Sequence, residues 1–170
     1  MALRDSHCSF CGAAFDAGAS WPRRCDACGN TSYKNPLPVA VLVLEVSTAE
    51  GAGALLIRRN IPPAGRLALP GGFIDHGESW QHAAARELSE EAQVTLDPGA
   101  VRELCVVSAP DGTLLVFGTA RYDAPSLPPF VANDEVSERL VVTRPVELAF
   151  AIHTQVLHDW FAGRRAPAGG

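Results

Sequence analysis

At 170 residues with 47% apolar and 19% charged positions, the chain has the size of one core domain plus a small appendage and the composition of a globular protein. A net charge of −5 and a pI near 5.5 argue against a surface that tracks nucleic-acid phosphates, so no nucleic-acid partner is expected. The longest apolar run, 36–44, is strand-sized and the first ten residues hold no apolar segment of signal-peptide length, so neither a membrane partner nor export is expected and the reading is cytoplasmic.

The first feature in chain order is a pair of Cys-x-x-Cys knuckles, Cys8 with Cys11 and Cys25 with Cys28. Four thiolates so spaced suit a tetrahedral Zn²⁺ site, with two sulfurs presented from each tight turn. Disulfides are the alternative, disfavoured in a reducing compartment. Phe10, Phe15 and Trp21 are the only aromatics before Tyr33, so zinc has to carry the folding of this segment, and a closed four-sulfur site is structural. We divide the chain into a zinc ribbon at 1–34, a main domain at 35–163 and a mobile tail at 164–170.

In the main domain, 39–46 is apolar but for Glu45 and rich in β-branched residues, which predicts a buried strand. Gly51 and Gly53 predict a turn and 54–58 its hairpin partner. In Leu69-Pro70-Gly71-Gly72 the proline and glycines predict a tight turn rather than helix. Ser79 is then a suitable cap for a helix over Trp80–Ala92, which contains neither Gly nor Pro. On that helix Glu87, Glu90 and Glu91 stand at i, i+3 and i+4 and share a face, while Ala84, Leu88 and Ala92 form an adjacent apolar stripe. Carboxylates within one turn repel each other. Arg86, four residues before Glu90, offsets part of that repulsion, and a hard divalent ion, Mg²⁺ or Mn²⁺, would offset more while leaving positions open for phosphates. The plain alternative is a solvated acidic helix face.

Beyond a break at 97–99, residues 101–107 and 114–120 read as strands about a turn at 110–112. Cys105 in the first of them reads as a buried, inert thiol. The loop 122–133 has three prolines and Phe130, an aromatic that could stack on a base or simply pack. An acidic stretch containing Glu135 and Glu138 leads into a strand at 139–142, followed by a short helix at 146–150 and a longer one at 152–161.

Gly72, Glu78, Arg86-Glu87-Leu88, Glu90-Glu91 and Val94, in register, closely resemble the signature of the Nudix hydrolases, which cleave a nucleoside diphosphate linked to another moiety. Gln93 departs from it, since the family usually has glycine there, and so does Leu67, where many members have tryptophan. The cysteine knuckles with Tyr33, Asn35, Pro36 and Pro38 resemble the junction of zinc-ribbon Nudix enzymes, including NADH pyrophosphatases and a related group acting on ADP-ribose or FAD. The Ser-Gln-Pro-Trp segment of the NADH enzymes is not found.

The resemblance implies an α/β/α sandwich with a mixed sheet. It also implies Mg²⁺- or Mn²⁺-dependent pyrophosphate hydrolysis of ADP-ribose, NADH or FAD, with metal held by Glu87, Glu90, Glu91 and the Gly72 carbonyl. Arg86 would orient the glutamates and Glu78 brace the loop. Glu135, or alternatively Glu138, would approach the metals or activate water. Apart from the resemblance, Arg58 and Arg59 leave the strand 54–58 towards the loop 60–63, which could reach a substrate phosphate, or are solvent-exposed strand-end charges. Homodimerisation is usual in the family. A nucleoside triphosphate pyrophosphohydrolase and a non-catalytic ADP-ribose sensor remain open as alternatives.

Overall fold

The computed structural model describes residues 5–16, 18–49 and 51–163 and divides the chain into two compact units, 1–36 and 37–170. The predicted tail at 164–170 lies outside the described residues.

In the smaller unit both knuckles close with the same pattern. The Cys8 amide donates to the Ala13 carbonyl and the Gly12 amide to the Cys8 carbonyl; Cys25 pairs likewise with Asn30 and Gly29. Gly12 and Gly29 take φ of 75° and 73°, the left-handed turn that favours glycine. Two-residue strands β1 (Arg23–Arg24) and β2 (Thr31–Ser32) pair antiparallel.

The larger unit is built on β3 (Leu37–Thr48), which runs parallel to β8 (Thr113–Asp123) along nearly its whole length. On its other edge, the end of β3 pairs antiparallel with β4 (Gly51–Arg59), while its start pairs with β6 (Gly71–Phe73). β4 leaves β3 and continues between β5 (Leu67–Ala68) and β9 (Val136–Val142). The segment 67–73 therefore fills the splay between β3 and β4, fixed by the Leu42 amide donating to the Pro70 carbonyl at 2.9 Å. β7 (Arg102–Ser108) forms the far edge against β8.

Alternation along β3 assigns Ala40, Leu42, Leu44 and Val46 to one face and Val41 and Val43 to the other, all fully buried. Helix α1 (Trp80–Ala92) covers the first face with Ala83, Ala84, Leu88 and Ala92. Helix α2 (Ala151–Phe161) covers the second with Val156 and Leu157. Burial on both faces is why the part of β3 up to Leu44 reads as an unbroken apolar run. The layers and mixed sheet are those of the expected α/β/α sandwich.

Three expectations need correction. Gly71 and Gly72 lie in a strand, not a turn. Gly71 is required by close approach, because a Cβ there would overlap the Ala40 carbonyl on β3. Gly51 and Gly53 also lie within β4, and the chain reverses between the paired Thr48 and Gly51. Residues 146–150 form no helix, because their backbone groups are engaged elsewhere. The Leu148 amide donates to Thr154 Oγ1, the Leu148 carbonyl accepts from Arg66, and the Ala149 amide donates to the Leu67 carbonyl. Leu148 itself is buried under α2.

Candidate functional site

The four ribbon sulfurs lie within 4.8 Å of one another, with Cys8 to Cys28 at 3.8 Å and Cys11 to Cys25 at 3.6 Å. A tetrahedral zinc with Zn–S bonds of about 2.3 Å has S–S edges of about 3.8 Å, so the donor set fits that ion. A disulfide needs about 2.05 Å, and all four cysteines are free. The Phe10 amide points at Cys8 Sγ from 3.4 Å and, first among several donors, brings that thiol down to about 6. At Cys11 the Ala13 amide favours the thiolate, but the crowding sulfurs of Cys28 and Cys25 prevail and push it up to about 12. Sulfurs this close relieve their repulsion by keeping protons, as at Cys11, or by sharing a cation.

The second cluster is acidic and sits where α1 passes the splay. Ser79 caps the helix, its hydroxyl accepting from the His82 amide. One turn further, Arg86 becomes the hub. Its guanidinium donates to both oxygens of Glu78 at 3.1 Å, to Glu87 at 2.7 Å, to Glu90 at 3.1 Å and to the Phe73 carbonyl at 3.0 Å. Glu78 also accepts from the Asp75 amide, so it braces the loop before the helix. Arg86 holds its carboxyl below the usual range, and in return Glu78 raises the Arg86 guanidinium.

Glu91 points the other way, into the splay. It is only 5% exposed and accepts from the Gly71 amide at 2.9 Å. Burial pushes its carboxyl up to about 7 against that hydrogen bond, with the charges of Glu87 and Glu135 adding to the rise and Arg59 opposing it. Burial likewise raises Glu87, against Arg86 and with help from Glu90 and Glu135. A Cβ at Gly72 would overlap the Glu87 carboxylate, so glycine is what lets the 71–73 backbone approach the acidic face. Among the described residues only the four cysteines converge within ligand distance of one another as they stand; Glu87, on the Arg86 fork, and Glu91, in the splay, carry the raised carboxyls that a hard divalent cation would draw together.

Glu135, just before β9, adds a small electrostatic push to both Glu87 and Glu91. Its backbone is fixed by the Asn60 amide donating to its carbonyl and by its own amide donating to Asn133 Oδ1. Glu138 is instead paired across the strands with Arg58 at 2.7 Å, which occupies Arg58 too. Its neighbour Arg59 is the one whose charge reaches Glu91. The two could not be told apart in sequence, because the bulge that redirects the chain at Arg58/Arg59 arises from the pairing with β9. Arg59 donates to the Pro62 carbonyl and lies over the Phe150 ring, with its buried Nε unpartnered. Phe130 is half-buried against the core with Arg139 over its ring at 5.6 Å.

The fold is shared with solved structures. A Nudix hydrolase from Nitrosomonas europaea superposes with a TM-score of 0.73 over 97% of this chain and 95% of that one; at 24% identity this shows the fold alone. The Nudix domain of Shewanella oneidensis NrtR, solved in complex with ADP ribose, matches with a TM-score of 0.53 and 27% identity over 64% of this chain and 73% of that one. Residues 36–150, well over half of the chain, match the NUDIX domain model, and the chain belongs to the Nudix family.

Among curated proteins, 79 residues are 38% identical to an ADP-ribose pyrophosphatase of Methanocaldococcus jannaschii, covering 46% of each chain. A further match is 31% identical over 88 residues to the NAD-capped RNA hydrolase NudC of Edwardsiella ictaluri, 51% of this chain and 33% of that one. The chain thus spans less than half the length of either relative.

Proposed function

We propose that this chain is a Mg²⁺- or Mn²⁺-dependent pyrophosphohydrolase. It cleaves a nucleoside diphosphate linked to another moiety, with ADP-ribose, NADH or FAD favoured, and releases a nucleoside monophosphate. The observation that carries this reading is the buried Glu91, held near neutrality beside Glu87 and within electrostatic reach of Glu135. Burying a carboxylate next to others of like charge is costly unless a cation or a proton is taken up there. The relatives that act on ADP-ribose and on NAD caps support the substrate class.

Glu87, Glu90, Glu91 and the Gly72 carbonyl would hold the ion, which when bound neutralises the diphosphate and acidifies water. Arg86 orients Glu87 and Glu90 through its fork of hydrogen bonds. Glu135 or a box carboxylate takes the proton of the attacking water as its oxygen bonds to phosphorus. The bridging P–O bond breaks and the leaving phosphate keeps the electron pair. Arg59, whose charge acts on Glu91 and which is not tied to Glu138, is better placed than Arg58 to meet a phosphate. In the ribbon a structural Zn²⁺ would sit on Cys8, Cys11, Cys25 and Cys28, in a cytoplasm that keeps thiols reduced.

The test is a panel of ADP-ribose, NADH, FAD and nucleoside triphosphates with Mg²⁺, reading phosphomonoester release after phosphatase coupling. Turnover of a dinucleotide or ADP-ribose is expected. Tight binding of ADP-ribose with no product at saturating Mg²⁺ would contradict the enzyme reading.

A further inference from the structure

Helix α1 ends on a residue that the backbone does not favour. Gln93 is the C-cap at φ 56° and ψ 34°, in the left-handed region where glycine is at ease and a side chain is strained. Its own amide closes the helix by donating to the Ser89 carbonyl at 3.1 Å. Glycine would serve that backbone better, so the reason for glutamine lies in its side chain.

The Gln93 carboxamide uses both ends on one residue. Nε2 donates to the Val131 carbonyl at 2.6 Å, and Oε1 accepts from the Val131 amide at 3.0 Å. Two more residues of the same stretch satisfy carbonyls of the last helical turn, which lack intrahelical partners. Asn133 Nδ2 donates to the Glu90 carbonyl at 3.1 Å, and Arg139 donates to the Ala92 carbonyl at 2.8 Å. Asn133 Oδ1 in turn accepts from the amides of Glu135 and Val136. The segment carrying Glu135 is thereby stapled to the end of the helix that carries Glu87, Glu90 and Glu91. Three residues separate Val131 from Glu135, so the tie at 131 acts close beside the Asn60 and Asn133 bonds that fix the Glu135 backbone.

We propose that Gln93 is a positioning residue for Glu135: its side chain ties residue 131 to the helix end and so holds the 131–135 segment at working distance from the helix carboxylates. This rests on the reading of Glu135 as a carboxylate that serves the reaction. A purely structural cap would be improved by glycine, whereas a positioning clamp would be lost. That contrast makes the two roles separable.

The experiment compares Gln93→Gly, Gln93→Asn, Glu135→Gln and the double variant Gln93→Gly/Glu135→Gln, using the fastest-cleaved compound of the panel above. Gln93→Gly is expected to melt at or above the wild-type temperature and yet lose roughly 10- to 100-fold in kcat, the scale of a small misplacement of a reacting group. Its Val131 amide should also exchange faster with deuterium. Gln93→Asn tolerates the backbone conformation but is one methylene short, and should lose activity similarly. In the Glu135→Gln background, Gln93→Gly should have no further effect on kcat. Wild-type kcat in Gln93→Gly, or an undiminished loss in the double variant, would overturn the clamp while Glu135→Gln stays impaired. Wild-type kcat in Glu135→Gln alone would instead overturn the reading of Glu135 on which the clamp depends.

Discussion

The cysteine knuckles and the acidic face of α1 both crowd like-charged ligands into a few ångströms, but they are supported by opposite means. Among the described residues of the ribbon only Cys8, Cys25 and Ser32 are buried, and beyond two-residue strands and the Arg23 stack on Phe15 and Trp21 the ligand cluster is left to hold the turns together. Around α1 the order is reversed. The helix is seated on Leu88, Ala84 and Ala92 before any ligand arrives, and Arg86 stands in for part of the missing positive charge. The difference teaches that loss of the ion should unfold the first site and only silence the second.

The largest effect expected is on chemistry at the acidic face. Glu91→Gln is nearly isosteric and can still accept from Gly71, so the fold should persist while kcat falls by about two to four orders of magnitude; circular dichroism and turnover measured together check this. Next is the ribbon. Cys25→Ser, or extraction by a strong zinc chelator, should abolish the β1–β2 amide signals in a heteronuclear NMR spectrum while the dispersion of the larger unit remains. Structural zinc contributes on the order of 10 kcal/mol to such folds. An unchanged ribbon spectrum without metal would end the contrast between the two sites.

Gly72→Ala gives a smaller and sharper test. The added methyl meets the Glu87 carboxylate, so the apparent affinity for Mg²⁺ should weaken by roughly tenfold or more with little loss of melting temperature, as expected when a group held in a working geometry is displaced.

The smallest effect is in pH dependence of stability without metal. His153, buried between Phe117 and Phe150, is lowered from 6.5 to about 4 by burial and by Arg59. Between those values the unfolded chain takes up a proton that the folded one refuses, so this residue makes stability rise with pH. Glu91, raised from 4.5 to about 7, holds a proton that the unfolded chain has released, so it makes stability fall over an overlapping window. Denaturant titrations across pH 4 to 7 should therefore show the rise reduced in His153→Phe and the fall reduced in Glu91→Gln.

Much of this arrangement was legible in the chain. The bounds of α1 follow from a capping serine and an uninterrupted run of helix formers, and the knuckle spacing brings four sulfurs together wherever the rest goes. Local rules failed where tertiary partners decide. Residues 146–150 have helix-compatible composition, but Thr154, Arg66 and Leu67 take their backbone groups. Gly71 and Gly72 looked like turn residues, and only the neighbouring strand and the Glu87 carboxylate reveal that lack of a side chain is what is needed. Gln93 was visible as a departure from the family signature, but its partner Val131 lies 38 residues away and no spacing rule points to it.

The central claim is that the helix carboxylates grip a divalent cation against a bridging diphosphate. Manganese binding followed by electron paramagnetic resonance, with and without a non-hydrolysable methylene analogue of ADP-ribose, tests it most directly. The account predicts manganese bound to the wild-type protein, tightened by the analogue and lost in Glu91→Gln. Free manganese in all three samples, or equal binding to the variant, would contradict it.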